Sequence, residues 1–222
     1  MISAIIPAFN EEKTIGQIVS LCKKSQLVQQ IIVVDDGSTD QTSQIAEKSG
    51  AKVIKLSKNQ GKGQALEKGI QKSKGEILLF LDADLLNLKK GHLFELAKPV
   101  LSGEFDLNLG VIDHGPFLNW FMKYFSAPLA GVRIFKKELW FLLPAKYKKG
   151  YLVDAALVFF AKKAKFKVST LILKGVGHLQ KEKKYGFLKG FSRRLLMIVQ
   201  VIEAQFLLRI DFYFAKDRFL LL

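Results

Sequence analysis

The chain of 222 residues is 49% hydrophobic and 25% charged, which excludes a disordered polypeptide and suits one large domain with a substantial core. Lys and Arg number 35 against 20 Asp and Glu, a formal charge of +15, so an anionic partner is required: nucleic acid, anionic lipid or a phosphorylated substrate. Cys22 is the only cysteine, which excludes an intrachain disulfide and points to a reducing compartment. The stretch Met1 to Pro7 has no basic segment ahead of its apolar run, so no signal sequence is expected. Nor is a membrane span: the longest candidate, Leu195 to Ile210, is broken by Gln200, Glu203, Gln205 and Arg209.

In chain order, Ser3 to Pro7 reads as a strand, and Asn10 is placed to cap a helix whose first turn carries Glu11 and Glu12. Gln30 to Val34 reads as a second buried strand, followed by Asp35-Asp36-Gly37-Ser38 and a helix from Thr39 or Asp40 to about Gly50. Lys52 to Leu56 is a third strand. After the loop Asn59 to Gly63 comes a helix from Gln64 to about Lys74, then the apolar run Leu78-Leu79-Phe80-Leu81, a strand buried on both faces that ends at Asp82. Alternating strand and helix at this spacing predicts an α/β fold with a mostly parallel sheet and helices on both faces. Further on, Gly91 to Leu101 reads as helix and Asp106 to Ile112 as strand. Phe117 to Phe125 is an aromatic-rich helix, Gly131 to Phe135 a strand, and Lys136 to Leu143 a helical turn or two. Leu152 to Lys165 is helical and Lys167 to Leu173 a strand. From Tyr185 a long helix carries Phe187, Phe191, Leu195, Ile198 and Phe206 on one stripe.

Four loops follow strands and therefore share one rim of a parallel sheet: Pro7 to Glu11, Asp35 to Ser38, Asn59 to Gly63 and Asp82 to Asp84. They supply acids for a base or ribose, glycines that admit a close ligand, Lys62 for a phosphate, and Asp82 and Asp84 as oxygen ligands for Mg²⁺ or Mn²⁺. That is the inventory of a nucleoside-diphosphate site with a metal. A phosphate-binding G-x-x-x-x-G-K-[ST] is absent, as is G-x-G-x-x-G after the first strand. For Asp-x-Asp alone, a strand cap followed by a turn is the plain alternative.

The segments Ile6 to Glu12, Val33 to Asp40, Asn59 to Leu66 and Asp82-Ala83-Asp84, in this order and spacing, resemble the family 2 glycosyltransferases of GT-A fold. The resemblance implies an inverting transfer of a hexose from a UDP or GDP sugar with a divalent metal, Mg²⁺ or Mn²⁺. By matching position, Pro7, Phe9, Glu11, Val34, Asp35, Asp36, Lys62, Asp82 and Ala83 would hold the nucleotide sugar, and Asp82 and Asp84 the metal. Which of Asp35 and Asp36 faces the base stays open.

Pro128 to Glu138 resembles the acceptor-side segment of dolichyl or polyprenyl phosphate hexose synthases. Gly150 to Leu157 resembles their next motif and that of the glucosyl-3-phosphoglycerate synthases, in which the histidine of a loop like Gly175-Val176-Gly177-His178 completes the metal site. Two positions depart from the pattern: Leu86, often a glutamine, and Ala156, in many a second carboxylate. With no internal repeat, low-complexity segment or linker, the chain reads as one domain, with a nucleotide half over 1–85, an acceptor half over 86–180 and a basic amphipathic helix and tail over 181–222. By its place in the Gly150 to Leu157 motif Asp154 would be the general base for an acceptor hydroxyl, although an acid early in a helix is also favoured by the dipole alone. Arg133 is expected to bind an acceptor phosphate, Lys184 the donor diphosphate and His178 the metal, the plain alternatives being an exposed strand charge, a solvated basic face and a satisfied loop histidine; His92 and His114 are expected to be structural.

The expected acceptor is a polyprenyl phosphate, with the protein peripheral on the cytoplasmic face of an anionic membrane; a soluble acceptor such as 3-phosphoglycerate is the alternative. From other classes, a sugar nucleotidyltransferase would begin with a Gly-rich loop, which Pro7-Ala8-Phe9-Asn10 is not. A nucleic-acid-binding module is argued against by the acids on the rim. Oligomeric state stays open.

Overall fold

A computed structural model describes residues 1–113, 115, 131–150 and 152–179. The expected helices at Phe117 to Phe125 and from Tyr185 onward, and Lys184, lie outside the described residues. In chain order the elements are β1 (Ile2–Ala8), α1 (Ile15–Ser25), β2 (Gln30–Asp35), α2 (Thr42–Ser49), β3 (Lys52–Lys55), α3 (Lys62–Gln71) and β4 (Ile77–Phe80). There follow β5 (Leu85–Leu86), α4 (Lys90–Leu101), β6 (Leu107–Ile112), β7 (Val132–Lys136), α5 (Glu138–Phe141), a 3-10 turn (Ala145–Tyr147), α6 (Leu152–Lys163), β8 (Val168–Leu173) and β9 (Gly177–His178).

Seven strands form one sheet in the order β3-β2-β1-β4-β7-β6-β8. Every neighbouring pair is parallel except those of β7, which runs antiparallel to both β4 and β6. The apolar runs alternate faces with period two, so each strand feeds two cores. On one face Ile6, Leu79 and Ile134 pack with Ile15 and Ile18 of α1, Ala46 of α2 and Leu93 and Leu96 of α4. On the other, Ile5, Leu78, Phe80 and Phe135 pack with Leu66 and Ile70 of α3, Trp140 of α5 and Leu157 of α6. Phe80 meets Phe135 edge to face, with ring centroids 4.8 Å apart.

Helix starts differ from the expectation. Asn10 does not cap α1, which begins at Ile15 after Thr14, and Glu11 and Glu12 stand ahead of the helix. Asn10 has φ 55°, and its backbone N–H donates to Ser38 Oγ at 2.8 Å while its Oδ1 accepts the Thr39 N–H at 2.9 Å. The Glu11 N–H donates to Thr42 Oγ1 at 2.7 Å, and Glu12 Oε2 accepts the Gln41 N–H at 3.2 Å. Bonds between the loops after β1 and β2 thus take the groups that a local cap would have used. In α2 the start moves to Thr42 because Asp40 Oδ1 accepts the Thr42 N–H at 3.0 Å, closing a turn over Asp40 and Gln41. The helix α3 stops at Gln71, and beyond it the Lys74 N–H donates to Gln30 Oε1 at 2.8 Å.

Three strands meet at Asp106. Its Oδ1 lies 2.6 Å from Lys136 Nζ at the end of β7, and its Oδ2 accepts the Lys167 N–H at 2.8 Å ahead of β8. Burial works against its charge, but the bonds from Lys136 and Lys167 prevail and hold its pKa below the usual carboxylate value. A depressed pKa stabilises the fold above the unfolded value of about 3.9, and this contribution is lost as pH falls through the folded value. Asp106→Asn is therefore expected to lower stability by about 1 kcal/mol at pH 7, and urea titrations should show the gap to wild type closing below about pH 3.9.

Candidate active site

The carboxyl ends of the parallel strands deliver the acids to one rim, and a small ribbon completes the group. Asp82 and Asp84 follow β4 directly; β5 then pairs antiparallel with β9, Leu85 opposite His178 and Leu86 opposite Gly177. The Leu179 N–H closes the ribbon by donating to the Asp84 carbonyl at 2.8 Å. In this way His178, 94 residues downstream, sets Nδ1 3.0 Å from Asp84 Oδ1. One ligand atom each from Asp82, Asp84 and His178 lies within 4.8 Å of the others. Two carboxylate oxygens and an imidazole nitrogen at this spacing fit a hard divalent cation such as Mg²⁺ or Mn²⁺. Burial opposes a proton on His178, yet the hydrogen bond and charge of Asp84, with Asp82 behind it, hold its pKa above the ordinary histidine value.

Asp82 also belongs to a chain of ion pairs that runs from the half-buried rim into the interior. Lys62, the first residue of α3, bridges Asp82 Oδ1 at 2.8 Å and Asp154 Oδ2 at 2.9 Å. Arg133 on β7 holds the other side of Asp154, with Nη2 at 3.0 Å from Oδ1 and Nη1 donating to the Asp154 carbonyl at 2.9 Å. Burial alone would strip the charge from Lys62; the Asp154 and Asp82 carboxylates override it and keep its pKa above the usual lysine range. Burial likewise pushes the Asp82 carboxyl upward, and Lys62, then His178 and Arg133, more than reverse the push. Gly131 stands against this group: a Cβ there would overlap the Asp82 carboxylate. The antiparallel run of β7 creates that approach, and nothing local to Gly131 signals it.

The remaining expected residues divide by what they touch. Asp35 is fully buried and accepts the Ser38 N–H at 2.8 Å and the Ser43 hydroxyl, which shapes the turn into α2. Asp36 Oδ1 accepts the Gln60 N–H at 2.7 Å and its Oδ2 the Gly61 N–H at 2.8 Å. Burial raises its pKa against those bonds. Both acids hold loops, and Asp36 fixes the residue just before Lys62. Pro7, Phe9 and Glu11 stand half-buried at the rim, Val34 lies in the core of β2, and Ala83 is buried between the two candidate metal acids. Ala156 sits in the apolar core beneath α6, where a second carboxylate would be a buried charge, and Leu86 spends its backbone on the ribbon. His92 accepts the Lys89 N–H at 3.2 Å at the start of α4.

The mostly parallel seven-stranded sheet flanked by helices, with an acid pair at the end of β4 joined by a histidine ribbon, has the architecture of the GT-A fold, as in the solved structures it superposes on. The chain belongs to glycosyl transferase family 2, whose family model matches residues 3–162. It is 36% identical over 112 residues to glucosyl-3-phosphoglycerate synthase of Mycolicibacterium paratuberculosis, a match covering 46% of this chain and 34% of that one. Identity is 41% over 99 residues to human dolichyl-phosphate beta-glucosyltransferase, covering 37% of this chain and 31% of that one. The matched stretch thus spans about a third of each of these relatives' own length. Among solved structures, glucosyl-3-phosphoglycerate synthase of Mycobacterium tuberculosis in complex with Mn²⁺, uridine diphosphate and phosphoglyceric acid superposes with a TM-score of 0.78. It is 27% identical, over 94% of this chain and 78% of that one.

Removing one partner of a buried pair leaves the other charge without its compensation. Arg133→Met is expected to lower unfolding stability by about 3 kcal/mol, read from chemical denaturation at neutral pH; a loss below about 1 kcal/mol contradicts the burial of this pair.

Proposed function

We propose that the protein transfers a glucosyl group from UDP-glucose to a small soluble phosphorylated acceptor of the phosphoglycerate type. The observation that carries this is His178, latched to Asp84 and Asp82 by the β5–β9 ribbon and facing the ion-paired Lys62. It is supported by likeness over 94% of the chain to an enzyme crystallised with uridine diphosphate, Mn²⁺ and phosphoglyceric acid.

Asp82, Asp84 and His178 would hold Mg²⁺ or Mn²⁺, which when bound neutralises the diphosphate of the donor. Lys62 offers a second positive charge to the same diphosphate from the start of α3, and Lys184, in the basic run just after the His178 loop, a further one. Pro7, Phe9 and Glu11 line the nucleotide side, next to Val34 and Ala83; Asp35 and Asp36 serve it through the loops they fix. Asp154 anchors Lys62 and Arg133, so its Oδ2 becomes available to an acceptor hydroxyl proton when Lys62 turns to the donor. Arg133, 1% exposed, acts on the acceptor through Asp154. Gly131→Ala is expected to weaken Mn²⁺ binding at least about tenfold by pushing Asp82 aside, in a titration followed by electron paramagnetic resonance.

A lipid acceptor is the second reading, favoured by the +15 charge and by the human dolichyl-phosphate relative. In that case the protein works peripherally on the cytoplasmic face of an anionic membrane. Among the described residues no helix is long and apolar enough to cross one. Labelled UDP-glucose with Mn²⁺, offered 3-phosphoglycerate in one arm and polyprenyl phosphate in anionic vesicles in the other, separates the two. Label on phosphoglycerate, lost in Asp84→Ala, is expected. Organic-extractable label alone favours the lipid, and label in neither arm overturns both.

A further inference from the structure

Lys62 opens a helix, so its position depends on how α3 is docked. Two contacts one turn apart, at Gly63 and Glu67, face the segment ahead of α6. At Gly63 the backbone approaches so closely that a Cβ would overlap the Lys148 carbonyl. Half-buried Glu67 then uses one oxygen, Oε2, twice: it accepts the N–H of fully buried Trp140 at 2.7 Å and lies 3.1 Å from Lys148 Nζ. The same ammonium stands 4.9 Å over the Trp140 ring, closing a three-membered group.

We propose that Glu67 is a positioning residue for Lys62, clamping α3 to Trp140 and Lys148 so that the Lys62 ammonium is held within reach of both the donor side and Asp154. The segment that carries Lys148 runs directly into α6, whose first turn holds Asp154, and Lys62 Nζ sits 2.9 Å from that carboxylate. The clamp therefore sets the spacing between the donor-side helix and the acceptor-side helix, not merely the stability of either. Charge-assisted bonds in partly dry surroundings are strong enough to fix such a spacing, and an ångström of error there weakens ligand contacts sharply. This inference rests on the reading that Lys62 meets the donor diphosphate.

Calorimetry with UDP and Mn²⁺ on Glu67→Gln, Glu67→Leu, Trp140→Phe, Lys62→Met and the double variant Lys62→Met with Glu67→Leu tests it. Thermal melts identify the variants that fold. Glu67→Leu is expected to weaken UDP binding about tenfold and Trp140→Phe about threefold, with Glu67→Gln between wild type and Glu67→Leu because its amide oxygen still accepts from Trp140. In the Lys62→Met background, Glu67→Leu should add nothing further, since the group it positions is gone. Folded Glu67→Leu and Trp140→Phe proteins that bind UDP as wild type does, or losses that add in the double variant, overturn the positioning role. Unchanged UDP binding in Lys62→Met overturns the donor reading of Lys62, and this inference with it.

Discussion

The ammonium of Lys62 between Asp82 and Asp154 is the interaction on which the rim depends. Asp82, Asp84 and Asp154 gather close to one another in a largely buried place, where uncompensated carboxylates would repel and lose solvation. One cation shared by two acids, with Arg133 behind the second, makes that density of charge tolerable. The pairs also join four elements that are distant in sequence: the end of β4, the start of α3, β7 and the first turn of α6.

Two structural devices bring those elements together. Strand β7 runs against the direction of the rest of the sheet, which places Gly131 beside the Asp82 carboxylate and Arg133 opposite Phe80 at the rim end of β4. The ribbon of β5 and β9 then carries His178 back across the opening. Each is small, and each fails if a single residue gains bulk or loses its backbone pairing. The position of the site at the carboxyl end of the sheet follows from topology.

The acids after β2 do quieter work. Asp35 and Asp36 sit where a ligand contact was expected, yet the one shapes the entry to α2 and the other binds the loop that presents Lys62. Loops after β1 and β2 are tied to each other through Asn10, Glu11 and Glu12. A rim assembled this way is preorganised, its backbone and side chains already held by one another. A chain of charge +15 attracts anions.

Much of this was legible in the sequence. Apolar runs such as Ile5-Ile6, Ile32-Val33-Val34 and Leu78 to Leu81 determined the strands, because a segment covered on both faces must be apolar throughout, and the loops between them determined which residues stand at the rim. What the tertiary structure alone decided was partnership: the direction of β7, the two-residue ribbon, the space at Gly131, and which acid faces a cation and which a backbone N–H. Strand formation is encoded by local periodicity that survives in any window of the chain. The pairing of Lys62 with Asp154 over 92 residues arises only when separate segments pack, and no local pattern carries that distance.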